Sequence, residues 1–354
     1  MQAVARQTSW LDLYHWKGEF VTRQSFAKEK EWGPRINGHR GELHGIIWKH
    51  VMERGSIDVR LDTRVVDYFE DGEKAGVELV NGEKVTADMV IAAEGVRSRG
   101  RKIVLGFDDK PKSSGYAVYR AWFSGDAIKD NPLIKHLVVN GDTHSGYIGP
   151  DLHFLVSSLK NGTEFNWVFT HVDDGNIEES WQFPGKVEDC LKYVEGWAPE
   201  VVEIVRCTPK DARLIDHKLV YREPLPTFIS PKKRIALIGD AAHPFLPTSI
   251  QGASQSIEDG VVLAACLELA GKNKVPLAVS AFEKIRYKRV HDAQAMGPKT
   301  RERWHKANWD EIRKTPEAIH LMREPWLLNF DAEEDAYGRY EEVVKSLEES
   351  RPRL

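Results

Sequence analysis

Arg234–Ala264 reads RIALIGDAAHPFLPTSIQGASQSIEDGVVLA, a strand, a loop and a helix in succession. Ile235 to Ile238 form a short, uniformly apolar run, as expected of a strand buried on both faces. The run ends at Gly239-Asp240, a loop bracketed by Pro244 and Pro247 follows, and Gln251-Gly252 opens an apolar helix predicted to reach Ala270. Open α/β sheets hold ligands at such a place, outside the carboxyl end of a strand and against the start of the next helix. Asp240 can accept hydrogen bonds from a polyol there. The N–H groups of Gly252 and Ala253 can face a position where negative charge develops.

Met89 to Ala93 forms a second apolar run that ends at Glu94-Gly95, and an arginine-rich loop leads to Arg101. Before it, Ile57–Leu61, Val65–Phe69 and Gly76–Val80 read as strands, with turns at Asp71-Gly72 and Asn81-Gly82. Leu43, Ile46, Ile47 and Val51 fall at helical spacing and predict an amphipathic helix over His39–Arg54. Strand patterns dominate from Gly115 to His171: Tyr116–Phe123, His136–Val139, Phe154–Leu159 and Phe165–Thr170 predict a largely antiparallel sheet. Residues 186–206 return to helical spacing, and the chain beyond Lys274 reads as polar helix docked through Trp304, Trp309 and Trp326. Residues 1–35 show no clear periodicity.

The 354 residues carry 50 basic against 54 acidic side chains, a net charge of -4, which provides no basic field for nucleic acid. Three cysteines without CxxC spacing argue against a disulfide framework or structural zinc, and the 13 histidines show no ligand spacing, so no metal is expected. Asn161-Gly162-Thr163 is read as an ordinary turn. With no secretion signal and no apolar stretch long enough to span a bilayer, the expected setting is cytoplasmic.

The Gly239-Asp240 segment resembles the GD motif of class A FAD-dependent monooxygenases, the salicylate hydroxylase-like family of aromatic hydroxylases. Asp88–Arg101, DMVIAAEGVRSRGR, is similar to that family's DG motif, with Glu94 standing where an aspartate is usual. His39–His44 resembles its Arg-x-x-Leu segment, Tyr119-Arg120 its Tyr-Arg pair, and Tyr147–Pro150 with His153 its Trp-x-Gly-Pro-x-x-His strand. Together these matches cover residues 36–290.

The resemblance implies a para-hydroxybenzoate hydroxylase-like α/β fold that binds FAD and NAD(P)H, with an inserted, mainly antiparallel β domain for substrate. The expected division is 1–110 and 231–298 for FAD binding, 111–230 for the substrate sheet, and 299–354 for a helical tail. FAD contacts fall to Arg40, Glu94, Gly95, Arg101, Gly239, Asp240, Pro247, Gly252 and Ala253. Substrate handling falls to Arg120, Tyr147 and His153. NAD(P)H would reduce the flavin, and one atom of O2 would pass to an aromatic or phenolic ring in secondary or aromatic metabolism. Baeyer–Villiger insertion or epoxidation on the same flavin body is the alternative chemistry. No GxGxxG follows an N-terminal strand, and Gly33–Gly38 has the wrong spacing to replace it. The fold is therefore expected to be incomplete at its N-terminus, which leaves an inactive fragment or binding subunit as a third reading. Apolar surface exposed by the missing unit would then favour association with another chain.

Overall fold

The computed structural model describes residues 5–7, 9–26, 36–173 and 183–350. The stretch 33–35 considered above lies outside them. The chain divides into two compact units, one of Met1–Val59, Ser113–Leu219 and Arg301–Met322, the other of Arg60–Lys112, Val220–Thr300 and Arg323–Leu354.

The first unit is built on a seven-stranded sheet. Its order is Ile215–Tyr221, Lys112–Ser124, Glu164–Val172, Leu152–Leu159, His144–Gly149, Trp10–His15 and Phe20–Ser25. Trp10–His15 lies parallel to His144–Gly149, whereas the four strands from Lys112–Ser124 to His144–Gly149 pair antiparallel. Residues alternate between faces along each strand. Tyr119, Phe154, Trp167 and Phe169 pack on one face against the helices Val187–Tyr193 and Pro199–Arg206. Leu11, Leu13 and Ile148 pack on the other with Trp304, Ile312 and Ile319. The turn at Lys160-Asn161-Gly162 has positive φ throughout, and a Cβ on Gly162 would meet the Val138 carbonyl at 1.8 Å, so glycine is required there.

The second unit contains a parallel pair, Val90–Ala92 with Ile235–Leu237, and a three-stranded antiparallel meander of Val65–Glu70, Ala75–Leu79 and Lys84–Ala87. The meander turns where Asp71-Gly72 and Asn81-Gly82 predict: the Asp71 carboxylate accepts from the Glu73 and Lys74 amides, and Asn81 accepts from the Glu83 amide. The helices Gly252–Ala270, Val275–Gln294 and Ala332–Glu349 supply much of its core.

Several expectations change. Residues 10–25, read as aperiodic, form two strands in which Leu11 and Leu13 are fully buried. His136–Val139 is a short helix: the Leu137 amide bonds the Ile134 carbonyl, and the Val138 and Val139 amides bond the Lys135 carbonyl, so they are satisfied locally and not by a neighbouring strand. Ile57–Leu61 is not a strand; Ile57 bonds back to Arg54 in a turn, and Leu61 is 68% exposed. The helix over Arg40–Met52 forms as predicted, yet none of its residues is buried. Ile235, Ala236 and Leu237 are fully buried, whereas Ile91 on the paired strand is 46% exposed. Trp304 docks in the core, but Trp326 stays 42% exposed.

Candidate functional site

In the second unit, the register Ile235↔Val90 and Leu237↔Ala92 brings the carboxyl ends of two parallel strands side by side. Glu94-Gly95 and Gly239-Asp240 therefore leave the sheet together. Gly95 (φ +81°) and Gly239 (φ +57°) both occupy the left-handed region, and a Cβ on Gly239 would lie 2.8 Å from Ser256 Oγ. Asp240 is exposed at the strand end. Beyond it, Pro247–Ser249 forms a single turn tied by Thr248 Oγ1 to the Gly297 carbonyl at 2.9 Å, and Ile250 enters the left-handed region at φ +56°. The Gly252–Ala270 helix then begins without a side-chain cap and without an acid in its first turn. Its open N–H groups and positive dipole end suit a group that becomes anionic.

A buried network holds this loop from behind. Asp259, on the Gly252–Ala270 helix and 1% exposed, accepts from the Gly239 amide (2.9 Å), His243 Nε2 (2.6 Å) and Arg286 Nε (2.9 Å). Burial by itself would raise its carboxyl, but His243, Arg286 and the Gly239 amide outweigh it and hold the group below the usual carboxylate range. Arg286 also bonds Glu258 and Gln255, and Glu258 receives both Nε and Nη2 of Arg289.

On the neighbouring strand end, Glu94 accepts from Ser98 Oγ and from the Arg99 amide (3.1 Å). Arg101 is 1% exposed and donates to the Ala241 and Ala242 carbonyls at 2.8 and 3.1 Å and to Asp109 at 2.6 Å. Arg222 joins Asp109 from the other side and donates to the Val96 carbonyl at 2.7 Å. Arg101 thus ties the Glu94 segment to the Asp240 loop. A cleft of about 690 Å³ opens here, with Arg97, Ser98, Arg99 and Lys102 among its walls.

In the first unit, the register sorts the expected substrate residues by face. Arg120 pairs with Val168, and His153 with Thr170, which in turn faces Val118. Arg120, Val118, Thr170 and His153 therefore share one face. Tyr147 pairs with Phe154 on the opposite face, stacks on Tyr14 at 4.9 Å and donates to Glu200 at 2.9 Å. Burial and Glu200 push its phenol up. Arg120 is half-buried; burial, then Arg40 and Arg213, lower its guanidinium. Arg40 is the first residue of its helix. Arg213, not singled out in the sequence, adds a third positive charge to this neighbourhood.

His153 is buried between Thr170 Oγ1 (3.2 Å) and His305 Nε2 (2.7 Å). Burial and then His305 push it down to about 3, while burial chiefly pushes His305 down to about 4. Both rings are therefore neutral at ordinary pH. Sequence reading missed His305, Asp259 and Arg286. Asp259 had a signal, a charge on the helix side otherwise lined by Val262, Leu263 and Cys266.

No protein-family model matches the chain. It is 34% identical over 346 residues to asperlicin C monooxygenase of Petromyces alliaceus, an alignment covering 95% of this chain and 73% of that protein. The crystal structure of CtdE in complex with FAD and a substrate superposes with a TM-score of 0.88 at 30% identity, covering 97% of this chain and 83% of that one. A salicylate hydroxylase substrate complex shares the fold, with a TM-score of 0.78 at 23% identity, over 95% of this chain and 84% of that one. The fold is that of the FAD-binding hydroxylases. The chain belongs to the FAD-dependent monooxygenases. Among the described residues, no helix is long and apolar enough to cross a membrane, and no cluster of side chains suits a metal ion.

Proposed function

We propose that the chain hydroxylates an aromatic small molecule, with NAD(P)H as reductant and O2 as co-substrate. The observation that carries the substrate class is the shared face of Arg120 and His153, with Arg40 and Arg213 adding positive charge near Arg120. Such a face suits an electron-rich ring bearing a phenolate, carboxylate or amide oxygen. A relative named for a fungal metabolite is consistent with a tailoring role in secondary metabolism.

The second unit fits FAD: the strand ends are glycine-shaped, Asp240 is exposed, and the following helix start is uncapped and free of acid. When bound, FAD supplies the activation of O2 and the delivery of one oxygen atom to substrate. Asp240 accepts hydrogen bonds from the ribityl chain, and the Gly252 and Ala253 amides stabilise negative charge on the reduced ring. Pro247 stiffens the passing loop, and Glu94-Gly95 shapes the adjoining edge. Arg40 is assigned to the cofactor phosphates. The cleft beside Glu94, whose walls carry Arg97, Arg99 and Lys102 together with Asp67, Glu78 and Asp108, is assigned to the pyridine nucleotide.

The test is turnover under 18O2 with NADH and NADPH, scored by reductant oxidation and product mass across a panel of phenols and indoles. A product carrying one labelled oxygen on an intact aromatic ring supports hydroxylation. A ring-expanded or epoxide product moves the assignment to the alternative chemistry, and flavin-loaded protein that oxidises no member of the panel refutes the aromatic reading.

A further inference from the structure

Behind the Asp240 loop, three buried polar atoms make no hydrogen bond among the described residues: His243 Nδ1, His291 Nε2 and Gln294 Oε1. They converge. Gln294 Nε2 donates to the carbonyl of Pro244, the residue after His243, at 3.0 Å. His291 lies three residues before Gln294 on the Val275–Gln294 helix, so both project from one side of it. The rings of His243 and His291 both meet Phe228 edge-on, at centroid separations of 5.7 and 5.4 Å.

Their hydrogen-bonded neighbours constrain the polarity of these atoms. The Asp259 carboxylate only accepts, so His243 Nε2 carries the hydrogen, and in that tautomer Nδ1 is an acceptor. The Pro244 carbonyl also only accepts, so the Gln294 nitrogen faces it and Oε1 points elsewhere as a second acceptor. His291 Nε2 can carry a hydrogen and act as the donor. Two acceptors and one donor are the complement of a water molecule, which offers two hydrogens and a lone pair, and buried waters typically make about three hydrogen bonds.

We propose that His243 Nδ1, His291 Nε2 and Gln294 Oε1 bind one water molecule, which makes His291 a positioning residue for the loop carrying Asp240. The chain of contacts runs from the Gly239 amide through Asp259 and His243 to the water, and from the water to the Val275–Gln294 helix. The proposal is independent of which substrate the enzyme takes.

The test is a crystal structure of the FAD-loaded protein at a resolution that shows ordered water, with melting temperatures of the flavin-free protein alongside. The expected result is a water peak about 2.6–3.2 Å from all three atoms. His291→Leu should lower the melting temperature by several degrees and weaken FAD binding several-fold, while His291→Gln, which keeps an N–H donor, should restore most of both. Direct contact among the three side chains, or occupation of the space by flavin or another side chain, overturns the proposal. So does a His291→Gln variant as impaired as His291→Leu. If His291→Leu does not fold, the water peak in the wild-type structure decides.

Discussion

Replacing Asp259 with asparagine removes one charge while keeping the side-chain volume, and the structure sets the size of the effect. The carboxylate is 1% exposed and accepts three hydrogen bonds, from Gly239, His243 and Arg286. Asparagine offers one oxygen and turns an N–H2 group toward the remaining donors, so at least one buried N–H loses its acceptor. Breaking a buried ion pair by removing one partner costs about 3–5 kcal/mol. Arg286 retains Glu258 and Gln255, which places the expected loss near the lower end of that range, about 3 kcal/mol. A loss of that size corresponds to a fall in melting temperature of about 4 °C for a chain of 354 residues unfolding as a whole. Thermal and urea unfolding of the flavin-free protein would measure the loss, and released flavin per protein would report the effect on FAD retention. The network also predicts coupling: Asp259→Asn combined with His243→Gln should cost clearly less than the sum of the two single changes. A loss for Asp259→Asn under about 1 kcal/mol, or strict additivity with His243→Gln, would refute the view that this network braces the Asp240 loop.

Other outcomes follow from the same geometry. Gly239→Ala should abolish FAD retention, because φ is +57° and the new methyl would meet Ser256 Oγ at 2.8 Å; Gly260→Ala, with open space around it, should leave retention unchanged. Arg120→Met should raise the substrate KM at least tenfold with FAD retention intact, whereas an unchanged KM would remove Arg120 from the substrate face's chemistry. Tyr147→Phe should cost about 1 kcal/mol of stability through the lost bond to Glu200 and leave kcat within twofold. His153 and His305 should make the first unit acid-labile. Their folded values, about 3 and about 4, lie below the ordinary 6.5, so the unfolded chain takes up these protons first as pH falls. Stability should therefore decline from about pH 6.5 downward by up to about 1.4 kcal/mol per pH unit for each ring. Urea midpoints between pH 7 and 5 would show it, and His153→Asn should flatten the slope.

What the sequence made legible is what a short segment can encode by itself. Ile235–Leu237 and its Gly-Asp ending, the meander turns at Asp71-Gly72 and Asn81-Gly82, and the helix from Gly252 each depend on residues close along the chain. Leu11 and Leu13 are not legible as strand positions because their alternation spans a few residues and includes the charged Asp12, whose two carboxylate oxygens both accept from Arg23 on the next strand. Ile57 and Leu61 failed in the opposite sense. β-propensity marks a residue that fits a pleated surface, and with no strand beside it among the described residues Ile57–Leu61 stays a turn.

The supports of the site depend on distances the sequence does not display. Arg101 reaches carbonyls 140 and 141 positions away, and Arg286 reaches an acid 27 positions back. Each motif residue is therefore only half of a device whose other half lies on a different element. The substrate sheet shows the consequence most clearly. Tyr147 and His153 belong to one recognisable segment, yet they sit on adjacent strands joined by a tight turn, so a single register decides which face each takes. Pairing Tyr147 with Phe154 sends it into the core beside Glu200, and pairing His153 with Ile148 and Thr170 sends it to the face of Arg120. A shift of one residue would exchange the two sides. The same motif letters would then present a phenol where the fold presents an imidazole.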